Sequence, residues 1–256
     1  MLLYRYMSYK YWRESVEQRK FATQYPSAFE DLFEGNVNIR NNIKFSSSAF
    51  NSIVTILCFN KVEGTSKADE NQLWSRYADR SKGVRVVFDM PCPESMSSRF
   101  FMAQDVAYSD DVHELTFPLT TTAWQGLDAH VLADVFFTKD TSWNWENEFR
   151  MLFFSDEESD CVSKRVLDKP DSLGRKWIWF AHFPKEWIVG VDFGARIPEL
   201  DNKAEVCLRR VAEDVAAIRK LRPEFKFGIM QRRLNEKALS RIDFDEYKTA
   251  NTHLFK

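Results

Sequence analysis

Glycine and proline are scarce in this chain, eight of each among 256 residues. With so few punctuating residues and no Pro-, Gly- or Ser-rich tract, it reads as continuous rather than as beads on a linker. The four cysteines (Cys58, Cys92, Cys161, Cys207) lie far apart, with no CxxC pair and no neighbouring His pair. That argues against a zinc site and a disulfide framework, and for a reduced cytosolic setting. No run reaches the roughly 18 apolar residues of a membrane helix. The opening Met1-Leu2-Leu3-Tyr4-Arg5-Tyr6 lacks the apolar core of a secretory signal. The expectation is a soluble, cytoplasmic protein without a membrane partner. GxSxG, P-loop and GxGxxG motifs are all missing. A net charge of −2 argues against a generic polyanion-coating protein.

Rings are plentiful. Aromatic residues make up 15% of the chain, with 22 Phe and 8 Trp, and 44% of it is hydrophobic. Such a chain can bury a sizeable core, as one large domain or as a domain with an appendage. The β-branched and aromatic runs at 53–59, 84–88, 105–108, 149–154 and 187–191 predict strands. Closing strands are predicted at 225–230 and 241–244. A helix is predicted from 121 to about 137, where Trp124, Leu127, Val131 and Val135 form one apolar face. Another is predicted over 202–221, with Cys207, Val211, Val215, Ile218 and Leu221 inward, Asn202 and Glu205 as a capping box, and Pro223 beyond its end. No βαβ rhythm alternates along the chain. The expected class is α+β, with compact mixed or antiparallel sheets and flanking helices. The expected layout is a single domain, with a core over 1–198 and a helix–strand extension over 199–256.

Charge is uneven. Between Asp110 and Asp160 there are twelve Asp or Glu against two Lys or Arg, and between Lys203 and Arg241 eleven Lys or Arg against five Asp or Glu. Such blocks are usually solvated surface; an acidic cleft and a nucleic-acid-facing lobe are the functional counterparts. The densest chemistry is Trp143-Asn144-Trp145-Glu146-Asn147-Glu148-Phe149-Arg150, two acids one residue apart with tryptophans before them and an Arg after. The histidines (His113, His130, His182, His253) are scattered, and none is assigned a catalytic role.

Several landmarks follow one another in order: Leu3-Tyr4-Arg5-Tyr6, Phe21-Ala22-Thr23, Leu73-Trp74-Ser75-Arg76-Tyr77-Ala78, Lys139 with Trp143, Glu146-Asn147-Glu148-Phe149-Arg150, and Ile188-Val189-Gly190-Val191-Asp192-Phe193-Gly194. In that order they resemble the bacterial family called domain of unknown function 2971, over nearly the whole chain. A more distant resemblance is to ADP-ribosyltransferases. The aromatic–basic–aromatic start resembles their first motif, in which an Arg or His holds NAD. Phe21-Ala22-Thr23 resembles their site-bracing strand, and Glu146-Asn147-Glu148 the Glu-x-Glu of the Arg–Ser–Glu subclass. Arg5 stands where the histidine subclass carries His.

The resemblance implies an ADP-ribosyltransferase-like core that consumes NAD as substrate, transferring ADP-ribose to a macromolecule or hydrolysing NAD, and requires no metal. Glu148 would steady the oxocarbenium-like centre left when nicotinamide departs. Glu146, on the same face of an extended strand, would position or deprotonate the acceptor. Arg5 would bind the pyrophosphate or ribose, Thr23 would brace the site, and Trp74 or Tyr77 would stack on nicotinamide or adenine. The partner is then a macromolecular acceptor, protein or nucleic acid, and by analogy the setting is a toxin or anti-phage effector. Two other classes stay open: a nucleic-acid-binding or nuclease-like defence protein resting on the basic 203–241 stretch, and a non-enzymatic module with an aromatic groove for a partner protein.

Overall fold

Strand formation follows the apolar runs, and the two richest runs are covered on both faces: residues 54–61 and 148–154 are buried almost throughout. A strand covered on both sides reads as a continuous apolar stretch rather than an alternating one. The structure is a computed structural model describing residues 1–28, 37–39, 43–45, 54–91, 101–110, 114–115, 136–154, 159–170, 176–201, 203–232 and 238–255. In chain order it contains β1 (Leu2–Met7), β2 (Lys20–Ala22), β3 (Val37–Ile39), β4 (Ile43–Phe45), β5 (Val54–Lys61), β6 (Val84–Asp89), β7 (Phe101–Asp105) and β8 (Ala107–Tyr108). Next come β9 (Glu114–Leu115), β10 (Thr138–Lys139), β11 (Glu148–Phe154), β12 (Val162–Val166), β13 (Trp177–His182), β14 (Ile188–Phe193), β15 (Lys226–Arg232) and β16 (Leu239–Asp243). The α-helices among the described residues are α1 (Tyr9–Gln18), α2 (Lys67–Tyr77), α3 (Ala204–Leu221) and α4 (Phe244–Ala250). The class is α+β, with a large mixed sheet and few helices. No helix among the described residues is long and apolar enough to cross a membrane.

The chain forms two compact units that interleave in sequence, one of residues 1–20, 59–90 and 183–256, the other of residues 21–58 and 91–182. The segment 199–256 therefore belongs to the same unit as the N-terminal strand. In the first unit the strands run in the order β16, β15, β14, β6, β1 and the end of β5. β14 and β15 are parallel and joined through α3, while the other neighbours are antiparallel. In the second unit β11 lies between β5 and β7, β13 lies between β12 and β2, β8 pairs with β10, and β3 lies between β4 and β9.

One polar row crosses the first unit. Tyr6 stands opposite Arg85, Arg85 opposite Asp192, and Asp192 opposite Gly228. Arg85 is only 2% exposed and donates to Asp192 Oδ2 from Nε at 3.2 Å and Nη2 at 2.8 Å. Its Nη1 binds Glu70, and its guanidinium lies 3.8 Å from the centre of the Tyr4 ring. Asp192 Oδ1 accepts a second guanidinium, Arg241 Nε, at 2.6 Å. A side chain on Gly228 would run into the Asp192 carboxylate and the Arg241 guanidinium, so glycine is required there.

Expectation and structure differ at several places. Residues 105–108 are not one strand, because β7 ends at Asp105 and β8 begins at Ala107. Trp187 lies in a short turn before β14. Helix α3 buries Cys207, Val211, Val215 and Ile218 as its spacing predicts, but Leu221, its last residue, is 63% exposed. Lys203 occupies its N-cap position without a side-chain bond; Asn202 lies outside the described residues. So do residues 116–135, and with them nearly all of the helix predicted over 121–137.

Removing one partner of a buried charge pair leaves the other uncompensated, which costs about 3–5 kcal/mol. Arg241 still faces Asp192, so Arg85→Met is expected at the low end of that range, about 3 kcal/mol. Urea unfolding monitored by tryptophan fluorescence measures it. A loss below about 1 kcal/mol, the scale of an exposed pair, would mean that the row does not hold the first unit together.

Candidate active site

A tight turn and a strand start bring two acids together in the second unit. Residues Thr141–Glu146 form a 3-10 turn, opened by Asp140, whose Oδ1 accepts from Ser142 N at 2.8 Å. Asn147 follows in the left-handed region with φ 45°, and β11 begins at Glu148. The extended Glu-x-Glu geometry predicted from sequence is therefore corrected: Glu146 closes a helical turn and only Glu148 is in a strand. The reversal at Asn147 nonetheless aims both carboxylates at one ammonium. Lys139 Nζ donates to Glu146 Oε2 at 2.6 Å and reaches Glu148 Oε2 at 3.4 Å.

Arg150 completes the cluster from the same strand face, since side chains two apart on a strand share a face. It donates to Glu148 from Nε at 2.7 Å and from Nη2 at 3.0 Å, a two-pronged grip, and to the Phe136 carbonyl from Nη1 at 2.6 Å. Glu146 and Glu148 are each 3% exposed and Arg150 is wholly enclosed. The Tyr108 hydroxyl accepts from Glu148 N at 2.9 Å, and the Cys58 thiol adjoins the Glu148 carboxyl. Above Lys139 lies Trp143, its ring centre 4.5 Å from Nζ, stacked on Trp145 at 6.2 Å.

Burial pushes the Glu148 carboxyl up to about 7, and the neighbouring Glu146 charge adds to the rise. The Lys139 ammonium pulls the other way, as does any positive neighbour. A carboxyl poised near neutrality, backed by a second acid and two cations, is the type of group that enzymes use to accept a proton or to face a developing positive charge. Among the described residues no three His, Cys, Asp or Glu side chains are grouped as metal ligands.

The other residues nominated from sequence lie elsewhere. Thr23, in the second unit, is buried, and its hydroxyl donates to the Trp179 carbonyl at 3.0 Å and accepts from Thr55. It ties neighbouring strands and does not touch the carboxylates. Arg5, Trp74 and Tyr77 belong to the first unit. Trp74 is fully buried, edge-on to Tyr6 at 5.2 Å and 5.4 Å from the Arg85 guanidinium, so its ring is taken up by packing. Tyr77 is 37% exposed beside Arg76. Arg5 is half-buried on β1, opposite Val86. Of the basic 203–241 stretch, Arg219 pairs with Asp245, Arg222 with Glu224 and Arg241 with Asp192. His182 hydrogen-bonds Ser163 at 2.6 Å, while His113 and His130 lie outside the described residues.

Sequence reasoning gave no role to Tyr108, Cys58 or the Phe136 carbonyl, and took Lys139 only as a landmark. A signal for Lys139 was present. The acidic stretch between Asp110 and Asp160 has two basic residues, Lys139 and Arg150, and both bind Glu148.

No protein-family model, curated protein or solved structure matches the chain.

The raised Glu148 carboxyl makes stability depend on pH. Its folded value, about 7, lies above the ordinary 4.5, so between those values the folded state holds the proton more tightly than the unfolded state. Glu148 thus contributes stability that is complete below about 4.5 and lost as pH rises through about 7. Unfolding free energy of the wild type should fall across that window by up to roughly 1 kcal/mol per pH unit relative to Glu148→Gln. Parallel pH–stability curves for the two proteins would contradict the assignment.

Proposed function

We propose that the chain is an NAD-consuming enzyme that transfers ADP-ribose to a macromolecule, with water as the competing acceptor. The observation that carries this reading is the convergence of two buried carboxylates on Lys139, with Glu148 poised near neutrality. The order of the sequence landmarks supplies the choice of NAD, and with it an ADP-ribosyltransferase-like core and membership of the domain of unknown function 2971 family.

In this reaction the bond between the ribose C1′ and the nicotinamide nitrogen breaks, and nicotinamide leaves with the bonding pair. Ionised Glu148 accepts a hydrogen bond from the ribose 2′-hydroxyl and stabilises the cation left at C1′, where a fixed charge in a water-poor site is worth most. The macromolecule's oxygen or nitrogen then bonds to C1′, and its proton passes to Glu146; when water bonds to C1′ instead, its proton is lost to solvent. Lys139 and Arg150 hold the two carboxylates in place. The proposal rests on the second unit alone and draws on none of Arg5, Trp74 and Tyr77, which belong to the first.

Nicotinamide release from NAD by the purified protein, with and without cell lysate as acceptor source, tests this. Glu148→Gln should lose at least about a hundredfold of the rate, the scale of a lost electrostatic partner, while circular dichroism at the assay temperature shows it folded like wild type. A fully active Glu148→Gln, or a wild type silent in every condition, would reject the reading. Glu146→Gln should slow transfer to the acceptor by about 10²-fold or more, as loss of a general base does, and spare hydrolysis. Equal loss of both would remove Glu146 from the acceptor step. Since the ionised Glu148 is the working form, the rate should rise with pH through about 7, and a rate that falls through that range would contradict the role.

A further inference from the structure

A second site is carried by the first unit, where β14 and β15 run side by side. In open sheets ligands bind outside the carboxyl ends of parallel strands, where the chain turns away and leaves a crevice. Here β14 ends at Phe193 and leads into Ala195 and Arg196, and β15 ends at Arg232. A cleft of about 660 Å³ opens there, lined by Asn71, Ser81, Arg196, Gln231, Arg232 and Tyr247 among others. That volume suits a small organic molecule.

The walls are built rather than incidental. Asp79, Arg80 and Ser81 all take positive φ, at 47°, 54° and 65°. Three consecutive non-glycine residues in the left-handed region are costly, and such strain persists only where the surroundings enforce it. Ser81 is tied on both sides: its N–H donates to the Trp74 carbonyl at 2.9 Å and its carbonyl accepts from Arg196 N at 2.9 Å. Gly194 lies so close to the Ser81 carbonyl that a Cβ would not fit. Opposite, the Asn71 side chain accepts from Leu239 N at 3.2 Å, tying α2 to β16.

Charge defines the ligand. Arg232 makes no ion pair with any described residue, although it lines the cleft. Arg196 holds Glu199, but that pair is about half exposed on both sides and therefore weak. Arg196, Arg232, Ser81 and Gln231 line the cleft with one carboxylate, Glu199, which leaves the lining net positive and suited to a dianion with several oxygens. Tyr247, Ile229, Met230 and Leu239 add apolar lining for an organic body. From this geometry we infer that the cleft binds a phosphate monoester of about mononucleotide size, with the phosphate held by Arg232 and Arg196. The inference does not depend on the carboxylate cluster, since every lining residue belongs to the first unit.

Calorimetric titration of the full chain with adenosine monophosphate, adenosine and inorganic phosphate tests it. Adenosine monophosphate should bind with a submillimolar Kd, and adenosine and inorganic phosphate each at least about tenfold more weakly. Arg232→Gln and Arg196→Gln, both at exposed positions, should each weaken adenosine monophosphate about tenfold or more at unchanged Tm. Glu148→Gln should bind it like wild type. No binding at millimolar concentration, or equal binding by wild type and both arginine variants, would overturn the site. Adenosine as tight as its monophosphate would overturn the anion's role, and phosphate as tight as the ester would overturn the size class.

Discussion

Charge buried on a sheet strand has to be answered by charge on a neighbouring residue of the same face, and both units are organised around that demand. In the first, Arg85 on β6 meets Asp192 on β14, and Asp192 in turn takes Arg241 from β16. Neither Arg85 nor Asp192 tolerates a register shift, because a slip of one residue would turn each to the opposite face and leave its partner unpaired. Bare Gly228 on β15 makes room for the carboxylate. The row thus fixes which residues of β1, β6, β14 and β15 stand side by side. Through β14 and β15 it also sets where their carboxyl ends open into the cleft.

The second unit meets the same demand with less symmetry. Glu148 and Arg150 share a strand face and satisfy each other in part, and Lys139 comes from a different strand to bridge Glu148 and Glu146. Two acids and two bases leave the cluster without a large net charge, which is why four ionisable groups can be buried together. Here burial and the second acid win at Glu148. The result is a group whose protonation is set by small differences among large opposing effects.

The well-buried strands were the legible part of the sequence, whereas the more exposed β12 and β13 were not. The β-branched and aromatic runs of β5, β6, β11 and β14 announced themselves because burial on both faces demands continuous apolar side chains. Helix α3 was legible through its apolar stripe. The helices α1 and α2 were not, since α1 buries only Trp12 and Val16, and α2 only Leu73 and Trp74, too few positions to mark a period. For the site, the proximity of Glu146 and Glu148 in sequence was a sound pointer to proximity of their carboxylates. The reason was misread, because a helical turn reversed at Asn147 delivers Glu146 where an extended strand had been expected. Trp74 shows the complementary limit. An aromatic beside charged residues looks like a ligand platform in sequence, but Arg85 of the same chain occupies its surroundings.

The Trp143–Trp145 stack gives the carboxylate cluster its remaining constraint. Trp143 covers the Lys139 ammonium, so water is kept from the cation that binds both acids. A cation held against a ring in a dry setting is attracted by as much as about 2 kcal/mol, and its field on Glu146 and Glu148 is correspondingly less screened. Trp143, backed by Trp145, and the two acids behind them therefore act on the same ammonium. That shared target explains why rings and acids are so densely interleaved over residues 143–150. It also makes Lys139, rather than either acid, the residue on which the geometry of the cluster turns.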